Sequence, residues 1–252
     1  MRSQILSLFV LVICMAAGPR QVVGQAGPPL LTDDPDTPGN RHWEINVAWT
    51  LSQKQNERFF GFPLIDINYG LGQRLQLKAE VPWLILKEGG QESESGIGSA
   101  NLGVKWRFLD ESLHGFAMST YPQLEIRTSA SSARRGLIEQ GAELRLPIEM
   151  SRKMGPVTFD AEVGYQFVQR EKDEGVYGLA LRREISKRLE LLAEIHGIAK
   201  RHVADEELIV NIGGRFKMSK HYTLLFSSGR SLRRAATRQP TFIAYIGWQF
   251  NL

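Results

Sequence analysis

The residues best able to do chemistry in this 252-residue chain are charged side chains set two positions apart. Acids stand at Glu44, Asp66, Glu80, Glu125, Glu143, Asp160, Glu162, Glu190 and Glu194. Bases stand at Lys78, Lys105, Arg107, Arg127, Arg145, Arg182, Lys200, Arg215 and Lys217. Many alternate with apolar neighbours, as in Leu102-Gly103-Val104-Lys105-Trp106-Arg107-Phe108 and Val157-Thr158-Phe159-Asp160-Ala161-Glu162-Val163. Successive side chains of a strand point to opposite faces, so this spacing gathers charge on one face and apolar groups on the other. Such a face can select ions, or it can fill a narrow bore with cross-strand ion pairs. The acids and bases are equal in number, which disfavours strong selection for either sign.

The remaining reactive residues form no familiar constellation. Of His42, His114, His196, His202 and His221, only His196, on the face of Glu194, and His202, in a long connection, are placed to serve a hydrolase, with Ser131 or Ser132 as partners. No serine sits in a Gly-x-Ser-x-Gly elbow, and phosphate-cradling, dinucleotide and zinc-helix motifs are absent from the sequence. The run Thr32-Asp33-Asp34-Pro35-Asp36 has acids enough for calcium but lacks the glycine and distal glutamate of an EF-hand loop. No catalytic residue, metal or cofactor is expected. A channel is the leading expectation. A hydrolase acting on lipid or lipopolysaccharide, or a structural or adhesive barrel, is the alternative.

The elements that must carry these residues are short. Period-two alternation marks twelve segments, at 42–52, 60–70, 75–85, 99–108, 115–127, 139–149, 157–168, 176–183, 189–200, 207–217, 222–229 and 241–252. Most run near the length that a tilted strand needs to cross the hydrocarbon layer. Tight turns such as Gln73-Arg74, Ser151-Arg152-Lys153, Ser186-Lys187-Arg188 and Ser219-Lys220-His221 interleave with longer connections, and aromatic residues gather near strand ends. Both are habits of transmembrane barrels. The expected fold is an all-β antiparallel transmembrane barrel of about twelve strands over residues 42–252, with short periplasmic turns and longer extracellular loops. Pro82, Pro122 and Pro147 oppose it, because each removes a ladder donor, and the segment holding Pro122 is expected to bulge or break there.

Residues 1–26 read as an export signal: Arg2, an apolar run from Ile5 to Ile13, then small residues. Residues 27–41, rich in proline and acid, read as a periplasmic lead-in whose acids can dock against lumen arginines. Without the signal, Arg2 and Arg20 leave a total of 31 bases at 29, against 27 acids, which gives no nucleic-acid footprint. Cys14, the one cysteine, goes with the signal. The apolar face of the last segment, Phe242, Ala244, Ile246, Trp248, Phe250 and Leu252, looks like a C-terminal targeting strand, which implies the barrel-assembly machinery and outer-membrane lipid as partners, with a small-molecule solute unnamed.

Residues 27–46 resemble the opening of an outer-membrane barrel family labelled putative MetA-pathway of phenol degradation, many of whose members are called transporters. Thr32, Asp33, Asp34, Thr37, Gly39 and Glu44 carry the resemblance. It implies bacterial outer-membrane residence and transport, and says little of the solute.

Overall fold

The computed structural model describes residues 27–169, 173–199, 207–233 and 240–252. The export signal, Lys200 and His202 lie outside these residues. Fourteen strands are described: β1 (Trp43–Gln53), β2 (Glu57–Leu71), β3 (Leu75–Glu88), β4 (Glu94–Ile97), β5 (Ala100–Leu109), β6 (Ala117–Thr120), β7 (Gln123–Ile126), β8 (Glu143–Met154), β9 (Val157–Val168), β10 (Glu174–Glu184), β11 (Leu189–Ala199), β12 (Glu207–Lys217), β13 (Tyr222–Ser231) and β14 (Phe242–Asn251). Two short helices, α1 (Glu111–His114) and α2 (Ala130–Arg134), stand between strands.

The fourteen strands build twelve staves. β3 pairs with β4 through Trp83↔Ile97 and with β5 through Glu80↔Asn101, so β4 and β5 are one stave broken at residues 98–99. β6 and β7 both pair with β5 and with β8, and form a second broken stave. That break falls at Tyr121-Pro122, where the missing proline donor was expected to interrupt the ladder; the Pro122 carbonyl instead accepts from the Val104 N–H at 3.0 Å. Pro147 lies alongside, its carbonyl accepting from the Thr120 hydroxyl at 2.8 Å. β1 pairs with β14 from Glu44↔Asn251 to Gln53↔Phe242, and with the β3–β5 pairing this closes the antiparallel ring.

Alternation then decides what each face meets. Trp49, Val163, Leu179 and Ile212 project outward and are more than half exposed, whereas Asn46, Asp66, Lys105, Glu149, Asp160 and Asn211 project inward and are buried. An apolar exterior around a polar interior is the pattern of a barrel set in lipid. Among the described residues no helix is long and apolar enough to cross a membrane. Aromatic pairs stand at the short-turn end, with Trp43 against Tyr69 at 4.5 Å and Tyr222 against Phe250 at 5.5 Å between ring centres.

Two boundaries differ from the sequence reading for physical reasons. Ser151, Arg152 and Lys153 are not a turn but continue β8; the turn is Gly155-Pro156, where Gly155 takes φ +63°. β2 and β3 run past their apolar segments, pairing Arg58↔Lys87 and Glu57↔Glu88. Both faces are polar there, so alternation fades although the ladder continues, and only residues 54–56 are left to join β1 to β2 on the long-loop side.

Val104 faces outward at 47% exposure and its neighbour Lys105 inward at 1%. Val104→Arg places a charge against lipid, at about 2–4 kcal/mol near the midplane. The expected outcome is loss of the compact, heat-modifiable gel band on refolding into vesicles, with Lys105→Ala retaining it. Equal behaviour of the two variants would contradict the assignment of faces.

Candidate functional site: the bore and the segment that fills it

A twelve-stave barrel is wider than its own side chains can fill, since about eight strands is the size they just close. The chain supplies the missing material from its N-terminus. Residues 27–37 run inside the bore, not ahead of it as a lead-in. Pro28, Pro29, Pro35 and Pro38 keep the segment out of the wall, because proline cannot complete a central ladder.

Polar contacts with inward side chains fix its path. The Glu194 carboxylate accepts from the backbone N–H groups of Leu31 at 2.8 Å and Thr32 at 2.7 Å, and Glu162 accepts from that of Asp33 at 3.0 Å. Arg215 donates to the Pro28 carbonyl at 3.1 Å, and the Ser227 hydroxyl to that of Pro29 at 2.7 Å. Leu30 packs on Ala180 and Leu192. The acids of the segment face the buried bases of the wall. Lys105 reaches Asp33 at 2.7 Å and also donates to the Asp34 carbonyl, while Glu149 stands 3.7 Å away. Arg182 bridges Asp34 at 3.1 Å and Asp160 at 2.7 Å. Arg107 pairs with Asp36 at 3.3 Å and Asp110 at 3.0 Å.

The six residues of the N-terminal motif therefore act together. Thr32 lies over Gly178, where any side chain would strike its hydroxyl. Asp33 and Asp34 meet Lys105 and Arg182. The Thr37 hydroxyl donates to the Gln73 carbonyl at 3.1 Å. Gly39, at φ +88°, turns the chain against Gly70, where a Cβ would collide with its carbonyl. Glu44 then opens β1 from a buried position.

A second network lies on β1–β3. Asn46 and Asn68 donate to Asp66 at 3.0 and 3.1 Å, and Lys78 stands 3.0 Å from Glu80 and 3.9 Å from Asp66. Tyr121, at the broken stave, joins the two networks: Lys105 lies over its ring at 4.6 Å and Gln76 donates to its hydroxyl at 3.2 Å.

The other charged residues read from the strands take these places along the wall. Arg145 approaches Glu162 at 3.9 Å, Arg215 approaches Glu190 at 3.4 Å, and Glu143 accepts from Gln166 at 2.6 Å. Glu125 is half-buried near the long-loop mouth. Arg127 and Lys217 are exposed, because each stands where its stave ends and the wall no longer encloses it. Glu149, fully buried at the end of the segment read over 139–149, was missed although it shares the parity of Glu143 and Arg145. Inward apolar residues were missed too: Leu84, Leu86, Val176, Ile209 and Leu225 share the face of the charges. The connection containing α2 folds onto the inner face of β4 and buries Ser132, Ala133 and Leu137. Among the described residues, neither the Ser132 hydroxyl nor the ring nitrogens of buried His196 have a hydrogen-bonding partner, so no serine–histidine pair forms.

A polar cavity of about 250 Å³ remains beside Asp36, lined by Arg107, Asp110, Ser151, Arg182 and Glu190. Burial in this mouth, together with the charge of Asp34, pushes the Asp36 carboxyl up to about 7. The docked site thus disfavours the Asp36 charge.

No family model matches the chain. No curated protein matches it. Solved structures do. An outer-membrane channel from Pseudomonas putida F1 superposes with a TM-score of 0.71 at 14% identity, over 87% of this chain and 98% of that one. The NanC porin gives 0.59 at 8% identity, over 82% and 100%, and the KdgM porin 0.57 at 10% identity, over 81% and 98%. The likeness is one of fold. By fold, the chain is a closed antiparallel β-barrel like those outer-membrane channels and porins.

Two outcomes are expected of the docked segment. Lys105→Ala leaves Asp33 and Glu149 without their cation, a loss of about 3–5 kcal/mol for a buried pair. An aspartate-directed protease should then cleave within residues 33–36 of a barrel that still shifts on heating, while the wild type resists; resistance in both would contradict the docking. For Asp36 the raised value belongs to the docked state, and a released carboxyl titrates near 4. Its charge therefore opposes docking above pH about 7, and that opposition fades as pH falls toward about 4. Hydrogen exchange over residues 30–37, corrected for intrinsic rate, should slow from pH about 8 to pH about 5.5, and Asp36→Asn should flatten the change.

Proposed function

We propose that the chain resides in a bacterial outer membrane as a narrow channel for small, weakly polar molecules, with residues 27–37 restricting its bore. The observation that carries this reading is the segment seated in the bore: Lys105, Arg107 and Arg182 meet Asp33, Asp36 and Asp34 of the segment as well as acids of the wall. These pairs use up the buried cations, and buried acids outnumber buried bases among the described residues, so the field that remains disfavours anions. Toward the long loops the inner face turns apolar at Leu84, Leu86, Leu137, Val176 and Ile209, which suits a solute with an apolar body. The likeness in fold to channel and porin barrels supports passage through the lumen. The family resemblance at residues 27–46, with its phenol-degradation label, supports aromatic compounds among the solutes.

Planar-bilayer recording tests the reading. The wild type should give small conductance with weak ion selectivity. Deleting residues 27–37 should raise conductance several-fold, and Arg107→Ala with Arg145→Ala should shift selectivity toward cations by leaving carboxylates unpaired. Silence from wild type, deletion and double variant alike, in barrels that shift on heating, would leave the channel reading without support and favour a structural or lipid-modifying barrel.

A further inference from the structure

The exterior of the barrel is not uniform. Ladder register places Arg230, Phe242, Gln53, Arg58 and Lys87 side by side on the outer face of β13, β14, β1, β2 and β3, at the long-loop end. Arg58, Lys87 and Arg230 are exposed, and none of the three forms an ion pair among the described residues. The corresponding outward positions on β8–β12, such as Leu144, Phe167, Gly175, Ala199 and Leu208, carry no charge. Among the described residues of these strands, the outward cations at this end thus stand in one sector.

Below that row the next outward positions are Ser228, Ala244, Leu51, Phe60 and Ile85, and below those Phe226, Ile246, Trp49, Phe62 and Trp83 stand at or beside matching register. Ala244 is too small to fill the space between its neighbours, and the register shift between Ala48 and Thr50 turns Trp49 edge-on to Phe62 at 4.7 Å. The result is an apolar groove of about 490 Å³, reaching from Trp49 and Ile246 up to Lys87. A groove of this kind takes a hydrocarbon chain, and cations at its top require an anionic group at the end of that chain.

We propose that this sector docks one phosphorylated, multiply acylated glycolipid of the outer leaflet, lipopolysaccharide in an outer membrane. Its phosphates sit on Arg58, Lys87 and Arg230, with one acyl chain in the groove. The cations span four strand spacings, about 19 Å, wider than a single phosphodiester headgroup and suited to a headgroup with separated phosphates. Charges at this height cost little against lipid, so they persist without an ion-pair partner, Lys87 lying over the Phe60 ring at 5.6 Å. The long-loop end faces the exterior, where this lipid resides. The proposal rests on outer-membrane residence, but not on conduction.

Native mass spectrometry of the full barrel in detergent, titrated with lipopolysaccharide, dephosphorylated lipopolysaccharide or phosphatidylglycerol, tests it. Wild type should retain one lipopolysaccharide. Arg58→Gln, Lys87→Gln and Arg230→Gln combined should weaken it at least tenfold, as should removal of the phosphates. Ala244→Phe, which fills the groove without touching the cations, should weaken it while the barrel still shifts on heating. Absence of the wild-type adduct, its survival in the triple variant, or equal retention of phosphatidylglycerol would overturn the proposal. Bilayer conductance of the same preparations reads the channel separately, so either reading can fail without the other.

Discussion

Everything in the interior depends on neutralising Lys105 and Arg182. Each is buried to within about a twentieth of full enclosure, at a depth where an isolated charge would cost several kcal/mol. The wall gives each one nearby carboxylate, Glu149 or Asp160, and that is too little to satisfy an ammonium or a guanidinium. Asp33 and Asp34 bring the missing acceptors from a segment that belongs to no strand. The debt runs both ways. Backbone donors of that segment would be orphaned in the bore without Glu194 and Glu162, so wall and insert are each incomplete without the other.

The wall was largely legible in the sequence and its contents only in part. Alternation located every stave because a lipid-facing side chain must be apolar wherever lipid is, and Pro122 marked its break because a missing N–H cannot be hidden in a closed ladder. Where lipid ends, so does the pattern. Arg58 and Lys87 sit in paired strands that period-two reading stops short of. Inside, no such rule holds. Leu86, Ile209 and Leu225 share the inward face with charges, because an inner wall packed against other protein groups can be apolar as readily as polar. That the acids of residues 32–36 could dock on lumen arginines followed from charge alone. That they enter the bore required contacts spanning more than a hundred residues, such as Leu31 with Glu194, which leave no local trace.

The two broken staves lie next to each other, and their position is informative. β4–β5 and β6–β7 are interrupted beside Pro82 and Pro122, and the backbone is freed there to send Tyr121 inward between the two polar networks. Gly103 makes room for it, since a Cβ at that position would strike the Tyr121 ring. Loss of ladder hydrogen bonds in this sector is offset by an interior anchor that touches both Lys105 and Gln76. The prolines that looked like objections to a barrel are the means by which it departs locally from a regular one.

Why the bore is filled by a tethered segment, and not by larger side chains, follows from what each allows. Side chains from opposite walls of twelve staves meet only if they are long, and long side chains that meet across a polar interior form fixed pairs with no way out. A segment held by Lys105 and Arg182 through charge, and by Leu30 through a small apolar contact, shares no ladder with the wall. Its anchors respond to ionic strength and, at Asp36, to protonation. The wall behind it keeps Asp160 beside Arg182 and Glu149 near Lys105, a partial set of acceptors that the segment completes. The ladder that holds the barrel together shares none of these contacts, so wall and insert are secured by separate sets of interactions.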